Sequence, residues 1–217
     1  MSITSASSID TFQREISRRL DPIQRSSLGQ FMTPSAIADF MASLFSRWPA
    51  NARLLDPGAG VGSLTEAFVR QYREHAPAGA SLEAHCFEIE PLLAEHLAIR
   101  LKGIRRMHGD ASKSFAWSIH ERDFISEASF QIGFGMMGFT HAILNPPYKK
   151  INTDSEHRKL LRTVGIETVN LYSAFLGLVV SMMERGGEVV AIVPRSFCNG
   201  AYFRPFRKFL LERTALT

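Results

Sequence analysis

The feature that most constrains this chain is an alternation along its length. Short apolar runs of strand length recur, each followed by a longer segment whose apolar residues fall at helical spacing. Strands joined through helices pair in parallel by right-handed crossovers, so the pattern predicts an α/β fold with a doubly wound, mainly parallel sheet. The expected strands are residues 53–56, 82–88, 105–110, 140–144 and 188–194; the expected helices are residues 63–73, 91–101, 172–184 and 204–211. Gly186-Gly187 reads as the turn before the last strand. Residues 111–139 fit no regular element, and so long a connection is expected to hold a helical insertion or a mobile loop.

Two elements precede the alternation. Phe12, Ile16 and Leu20 stand at i, i+4, i+8 and predict a short helix within an N-terminal arm, residues 1–27. Thr33-Pro34 then reads as the cap and first turn of a second helix, with Ile37, Phe40, Met41, Leu44 and Phe45 on its apolar face. Residues 28–217 form the main domain, long enough to bury a sizeable core.

Composition excludes several classes. With 45% hydrophobic and 21% charged residues, the chain is neither disordered nor a membrane protein, and no apolar run approaches a membrane span. Met1 to Asp10 is small and polar, without the apolar stretch of a secretory signal. Cys86 and Cys198 have neither metal nor redox spacing, and the seven histidines show no ligand pattern. No metal is expected, and the location read from this is the cytoplasm. A net charge of +4 favours a polyanionic partner only weakly. Arginine clusters near both ends read equally well as solvated helix faces.

In open parallel sheets, ligands bind beyond the carboxyl ends of the strands, and the unusual residue clusters all fall at such ends. After the first strand comes Asp56-Pro57-Gly58-Ala59-Gly60-Val61-Gly62, whose glycines let backbone approach a ligand. It is not the dinucleotide fingerprint, because Ser63 stands where a glycine is needed. After the second comes Glu88-Ile89-Glu90, a carboxylate able to accept ribose hydroxyls beside an apolar side chain. After the third comes Gly109-Asp110-Ala111, where Asp110 can accept from an exocyclic amine. After the fourth comes Asn145-Pro146-Pro147-Tyr148, two fixed φ angles holding the Asn145 amide oxygen and the Pro146 carbonyl as convergent acceptors for an amino group. Tyr148 supplies a flat face for a planar base. Each cluster also has a plain reading, as a tight turn, a helix N-terminal carboxylate or a rigid Asn-capped corner.

Taken in order, these segments resemble the amino-methylating branch of the S-adenosylmethionine-dependent methyltransferases. Gln30-Phe31-Met32-Thr33-Pro34 lies ahead of the glycine loop, and the tract from Asn170 to Leu176, Gly186-Gly187 and Val193-Pro194-Arg195-Ser196-Phe197 follows the Asn-Pro-Pro-Tyr corner. This order is similar to the γ arrangement of DNA adenine-N6 methyltransferases of the TaqI, Eco57I and PstI/BsuBI types. The resemblance implies a Rossmann-like methyltransferase fold, S-adenosylmethionine as cofactor and S-adenosylhomocysteine as product. It implies that Phe31, Thr33, Asp56, Pro57, Gly58, Ala59 and Gly60 hold the methionine part of the cofactor. Glu88 would take its ribose, Asp110 and Ala111 the adenine amine, Ile89 and Phe175 the two adenine faces, with Pro147 and Asn145 lining the same pocket. Asn145, Pro146 and Tyr148 would be catalytic, acting on an adenine flipped out of double-stranded DNA. A separate cognate restriction endonuclease is the further partner it suggests. Because the chain ends at Thr217, the C-terminal β-hairpin and the target-recognition domain of such enzymes are expected outside it.

Two other readings compete. The same tetrapeptide serves methyltransferases of RNA or of protein glutamine, and a degenerate methyltransferase-like module could bind nucleic acid without catalysis. The segment ahead of the glycine loop and the Asn170 tract favour DNA; intact Asn145, Tyr148 and Glu88 argue against decay.

Overall fold

The segment Phe139–Leu144 (β4) is buried at all six positions, the mark of a strand covered on both faces. A computed structural model describes residues 32–107, 113–136 and 138–217. In it β4 lies within one sheet with Asn51–Asp56 (β1), Ser81–Phe87 (β2), Ser114–His120 (β3) and Met183–Ala191 (β5). The order is β3-β2-β1-β4-β5, and every pairing is parallel. The remaining elements are Ser35–Ser43 (α1), Ser63–His75 (α2), Pro91–Met107 (α3), Phe124–Gly133 (α4), Glu156–Thr163 (α5), Leu171–Met182 (α6) and Arg204–Leu211 (α7). The doubly wound parallel sheet read from the sequence is the observed one.

Successive strand residues face opposite sides, and the sheet divides two cores accordingly. Leu54 and Ile143 face Met41 from α1, Phe45 just beyond it, Phe68 from α2, and Leu97 and Leu101 from α3. Leu55, Ala142 and Leu144 face Phe124, Leu161, Leu178 and Phe206 from α4 to α7. Each of these residues is nearly inaccessible to water, and burial of that kind contributes roughly 1.5–3 kcal/mol for each large apolar side chain.

Several sequence expectations need correction. The third strand is not residues 105–110. Helix α3 continues to Met107 because Leu97, Leu101 and Ile104 extend its buried stripe, and Arg105 and Arg106 sit favourably in its last turn. β3 instead begins at Ser114, inside the stretch expected to be irregular, with Phe115, Trp117 and Ile119 alternating toward the α3 side. Helix α4, Phe124–Gly133, is the helical insertion expected in that stretch. Gly186-Gly187 is likewise no turn before the last strand but a bulge within β5: Phe139 pairs with Met183, and His141 with Glu188. Gly186 has φ 79°, and a Cβ on Gly187 would stand 3.0 Å from the Phe139 carbonyl oxygen, so both positions require glycine. β5 has one strand neighbour and is half-buried rather than enclosed.

Helix α1 divides its apolar residues. Met41 and Phe45 point inward, whereas Ile37, Phe40 and Leu44 are exposed. Pro34 is its N-cap and no side chain caps it, so Thr33 does not have the capping role expected of it. The arm of residues 1–27, including the helix expected at 8–20, lies outside the described residues.

Candidate active site

Strand order reverses between β1 and β4: the chain leaves β1 for β2 and β3 on one side, then crosses to β4 on the other. Such a switch point leaves a crevice at the carboxyl ends of the two strands, the usual ligand position in open α/β sheets. Register fixes what surrounds it. Leu55 pairs with Ala142, and Asp56 pairs with Cys86. Asn145 and Glu88 therefore stand just past the level of Asp56, on either side of β1. Two strand spacings put their backbones roughly 10 Å apart, with the glycine loop between them.

That loop is braced from β2. The Ala59 amide donates to the Phe87 carbonyl at 2.9 Å, and the Gly60 amide donates to Glu88 Oε2 at 2.9 Å. Glu88 Oε1 accepts the Glu90 amide at 2.8 Å. Burial pushes the Glu88 carboxyl upward, and these amides oppose the shift. A carboxylate offers about four acceptor positions, so bracing the loop is compatible with accepting ribose hydroxyls. This second duty of Glu88 was not foreseen from sequence. Gly62, at φ 85°, opens α2, and a Cβ there would come within 2.6 Å of Leu97 Cδ1. Glycine is what lets the loop sit against α3.

Asp56 is completely buried at the floor of the loop. Its Oδ2 accepts the Thr65 hydroxyl at 2.7 Å, and among the described residues Oδ1 receives no well-formed hydrogen bond. Burial raises its pKa from 3.8 to about 7, against the Thr65 hydroxyl and the nearby Gly58 amide; the Glu88 charge adds to the rise. Cys86, also buried, has its thiol pushed upward by burial, which disfavours a nucleophilic thiolate.

On the β4 side, Asn145 Nδ2 donates to Thr33 Oγ1 at 3.1 Å, and the Tyr148 hydroxyl donates to Asn145 Oδ1 at 2.9 Å. Pro146 is buried, Pro147 and Tyr148 half-buried. Helix α6 spans the two sides: Tyr172 lies edge-on to Tyr148 with ring centres 6.3 Å apart, and Phe175, one turn on, comes within 4.0 Å of where a Cβ on Gly58 would lie. The corner is clipped to that helix. The Ile151 amide donates to the Val169 carbonyl and the Leu171 amide to the Lys149 carbonyl, both at 2.8 Å, closing an antiparallel bridge at Lys150 and Asn170. Residues 152–168 loop out between these clips and carry α5, where Arg158 pairs with Glu167.

The structure thus brings together Thr33, the loop from Asp56 to Gly60, Glu88, Asn145 to Tyr148 and Phe175. Ile89 sits at the rim, 49% exposed. Phe31, Asp110 and Ala111 lie outside the described residues. The strand-end argument for Asp110 no longer holds, since β3 starts after it. Beyond the true end of β3 stands Asp123, which caps α4 by accepting the Ser126 amide at 2.8 Å and pairs with His157 at 3.1 Å. The adjacent Phe124 packs against Phe87 and Phe175, with ring centres 5.1 and 5.0 Å away. The alternation of Phe115, Trp117 and Ile119 was the signal that could have located Asp123. Among the described residues, no group of three or more His, Cys, Asp or Glu is placed to hold a metal ion, and no helix is long and apolar enough to cross a membrane.

Comparison with known proteins bears on the family and the fold. Residues 80–217 match the family described as Eco57I restriction-modification methylase. The chain is 50% identical over 198 residues to the type II methyltransferase M.BsuBI of Bacillus subtilis, covering 88% of this chain and 38% of that protein. It is 41% identical over 212 residues to M.PstI of Providencia stuartii, covering 96% of this chain and 41% of that protein. The chain therefore spans about two fifths of the length of these relatives. Among solved structures, a Listeria monocytogenes protein assigned to the class I S-adenosylmethionine-dependent methyltransferases superposes with a TM-score of 0.62 at 16% identity, covering 85% of this chain and 53% of that one.

Proposed function

Because the chain belongs to the Eco57I restriction-modification methylase family, we propose that it forms the cofactor-binding and catalytic part of an S-adenosylmethionine-dependent DNA adenine-N6 methyltransferase. The observation that carries this reading is the meeting, at one switch-point crevice, of a braced glycine loop, the Glu88 carboxylate and the Asn145-to-Tyr148 corner.

The residues present fit the cofactor. The buried Oδ1 of Asp56 is an acceptor suited to an ammonium, Glu88 suits a ribose diol, and the Phe175 ring beside Gly58 offers an apolar surface to a purine. Pro147 and Ile89 extend that lining. Asp123 replaces Asp110 as the acceptor for the adenine amine, because it follows β3 and adjoins Phe124. When bound, the cofactor supplies a methyl group on a positively charged sulfur, and S-adenosylhomocysteine is the product.

The chain's own residues orient the acceptor. Asn145 Oδ1 and the Pro146 carbonyl accept hydrogen bonds from the target N6, turning its lone pair toward the methyl group. Holding the reacting atoms in line is worth several orders of magnitude in rate. Tyr148 stacks on the target base, about 1–3 kcal/mol, which offsets part of the cost of flipping it from the duplex. No covalent intermediate is needed. Double-stranded DNA is the proposed partner, with a separate restriction endonuclease acting at the same sites.

The test is methyl transfer by the full-length protein, using labelled S-adenosylmethionine with duplex DNA, RNA or a glutamine-bearing protein, followed by nucleoside analysis. N6-methyladenine from the DNA arm is the expected product. Label in N4-methylcytosine, or only in RNA or protein, would overturn the reading.

A further inference from the structure

Asn145 is gripped from two sides by hydroxyl groups of quite different origin. Tyr148, on its own corner, donates to Oδ1. Thr33, 112 residues earlier in the chain, accepts from Nδ2. Thr33 is 7% exposed and stands just ahead of Pro34, the residue that caps α1. A hydroxyl at that point could serve the open end of the helix, yet it is turned toward the tip of β4.

The support behind Thr33 is rigid. Helix α1 is packed inward through Ala38, Met41 and Ala42, with Phe45 just beyond its end. It is tied outward by a chain of ion pairs: Asp39 to Arg70, Arg70 to Glu66 at 3.5 Å, and Glu66 to Arg100 at 3.3 Å, joining α1, α2 and α3. Its end is fastened to β5, where Glu188 accepts the Ser46 and Arg47 amides at 3.0 Å. A group mounted on such a base can hold another in place.

We infer that Thr33 is a positioning residue for methyl transfer, anchoring the Asn145 amide nitrogen so that its oxygen is the end presented to the target amine. The inference rests on the proposed function. The two ends of a primary amide are alike in shape and opposite in hydrogen-bond sense. Rotated by half a turn, Asn145 would set an N–H against the N–H groups of the amine, and the lone pair would not be directed. Tyr148 cannot guard against this alone. To stack on a base it must present its ring face, and the incoming amine takes over the oxygen that its hydroxyl now occupies. Thr33 holds the nitrogen end, so its grip outlasts that exchange.

The test uses the full-length protein with Thr33→Val, which keeps the shape and removes the hydroxyl, and Thr33→Ser, which restores it. Three readings are taken: single-turnover methyl transfer to duplex DNA at saturating cofactor, cofactor affinity by calorimetry, and the Asn145 side-chain amide resonances. At saturating cofactor a misaligned acceptor should slow transfer by roughly 10-fold or more in T33V, whatever change in cofactor Kd accompanies loss of the hydroxyl, with recovery in T33S to within about 3-fold of the parent. The Asn145 amide pair should shift in T33V and return in T33S. The inference is overturned if T33V transfers at the parent rate at saturating cofactor, so that any deficit is one of cofactor binding alone, or if T33S is as slow as T33V. Should the parent protein methylate no DNA, the proposed function fails by itself; an amide pair unmoved in T33V would then dispose of the positioning role separately. If T33V does not fold, Thr33→Ala takes its place in all three readings.

Discussion

Replacing Asp56 by Asn should raise the stability of the protein relative to the parent progressively as pH increases. Asp56 is fully buried, and its pKa rises from 3.8 to about 7 because burial penalises the charged form. Between those values the folded chain holds a proton that the unfolded chain has released. Unfolding free energy falls with pH wherever the folded state binds more protons. The contribution of Asp56 is thus fully present below pH 3.8 and is lost as pH rises through about 7. A gap of about three units corresponds to roughly 4 kcal/mol at 1.36 kcal/mol per unit, an upper figure that any yielding of the loop reduces. Asn has the same shape and no charge to bury; its NH2 meets a donor, the Thr65 hydroxyl or the Gly58 amide, at a cost of about 1–3 kcal/mol that does not vary with pH. Other groups obscure the raw profile. Asp123, Glu127, Glu167 and Glu188 are shifted downward and lose their contribution as pH falls, while the depressed His85, His120 and His141 also favour higher pH. Glu88 is shifted upward by burial, and its charge raises Asp56 further. The informative quantity is therefore the difference between parent and variant, from urea unfolding at pH 5, 6, 7 and 8. Relative to the parent, the Asn variant should gain a few kcal/mol across this range. An advantage that is flat, or that shrinks as pH rises, would refute a protonated Asp56 in the folded loop.

Two further substitutions probe the same crevice. Gly62→Ala forces a side chain into φ 85° and against Leu97; strain and overpacking together should cost about 2–4 kcal/mol in denaturant melts, and a loss below the error of measurement would mean the loop is not packed as described. Glu88→Gln sets an amide N–H2 against either the Gly60 or the Glu90 amide. An unmet donor costs about 1–3 kcal/mol, so S-adenosylmethionine affinity by calorimetry should fall roughly 10-fold or more; unchanged affinity would remove Glu88 from the cofactor site.

How much of this was legible in the sequence depended on burial. Helix α7 lies where Phe206, Phe209 and Leu210 predict it, residues 204–211, because those three are its buried side. β4 was legible because both its faces are apolar. β3 was not: it lies at the sheet edge, and Ser114, Ala116, Ser118 and His120 dilute its signal on the open side. Losing β3 displaced the strand-end argument from Asp123 to Asp110. Asn145 to Tyr148 and the glycine loop were legible as local motifs. The grip of Thr33 on Asn145 and the bracing of the loop by Glu88 were not, since each joins segments that only the folded sheet brings together.

The paired clips at Lys149–Ile151 and Val169–Leu171 tie the corner straight to the start of helix α6, so the strand tip and that helix keep their mutual pose. The segment between them is no free appendage: Leu161 and Ile166 are core residues and His157 holds Asp123. Room for related enzymes to diverge in how they meet their substrates is therefore confined to its exposed tip, Asn152 to Asp154.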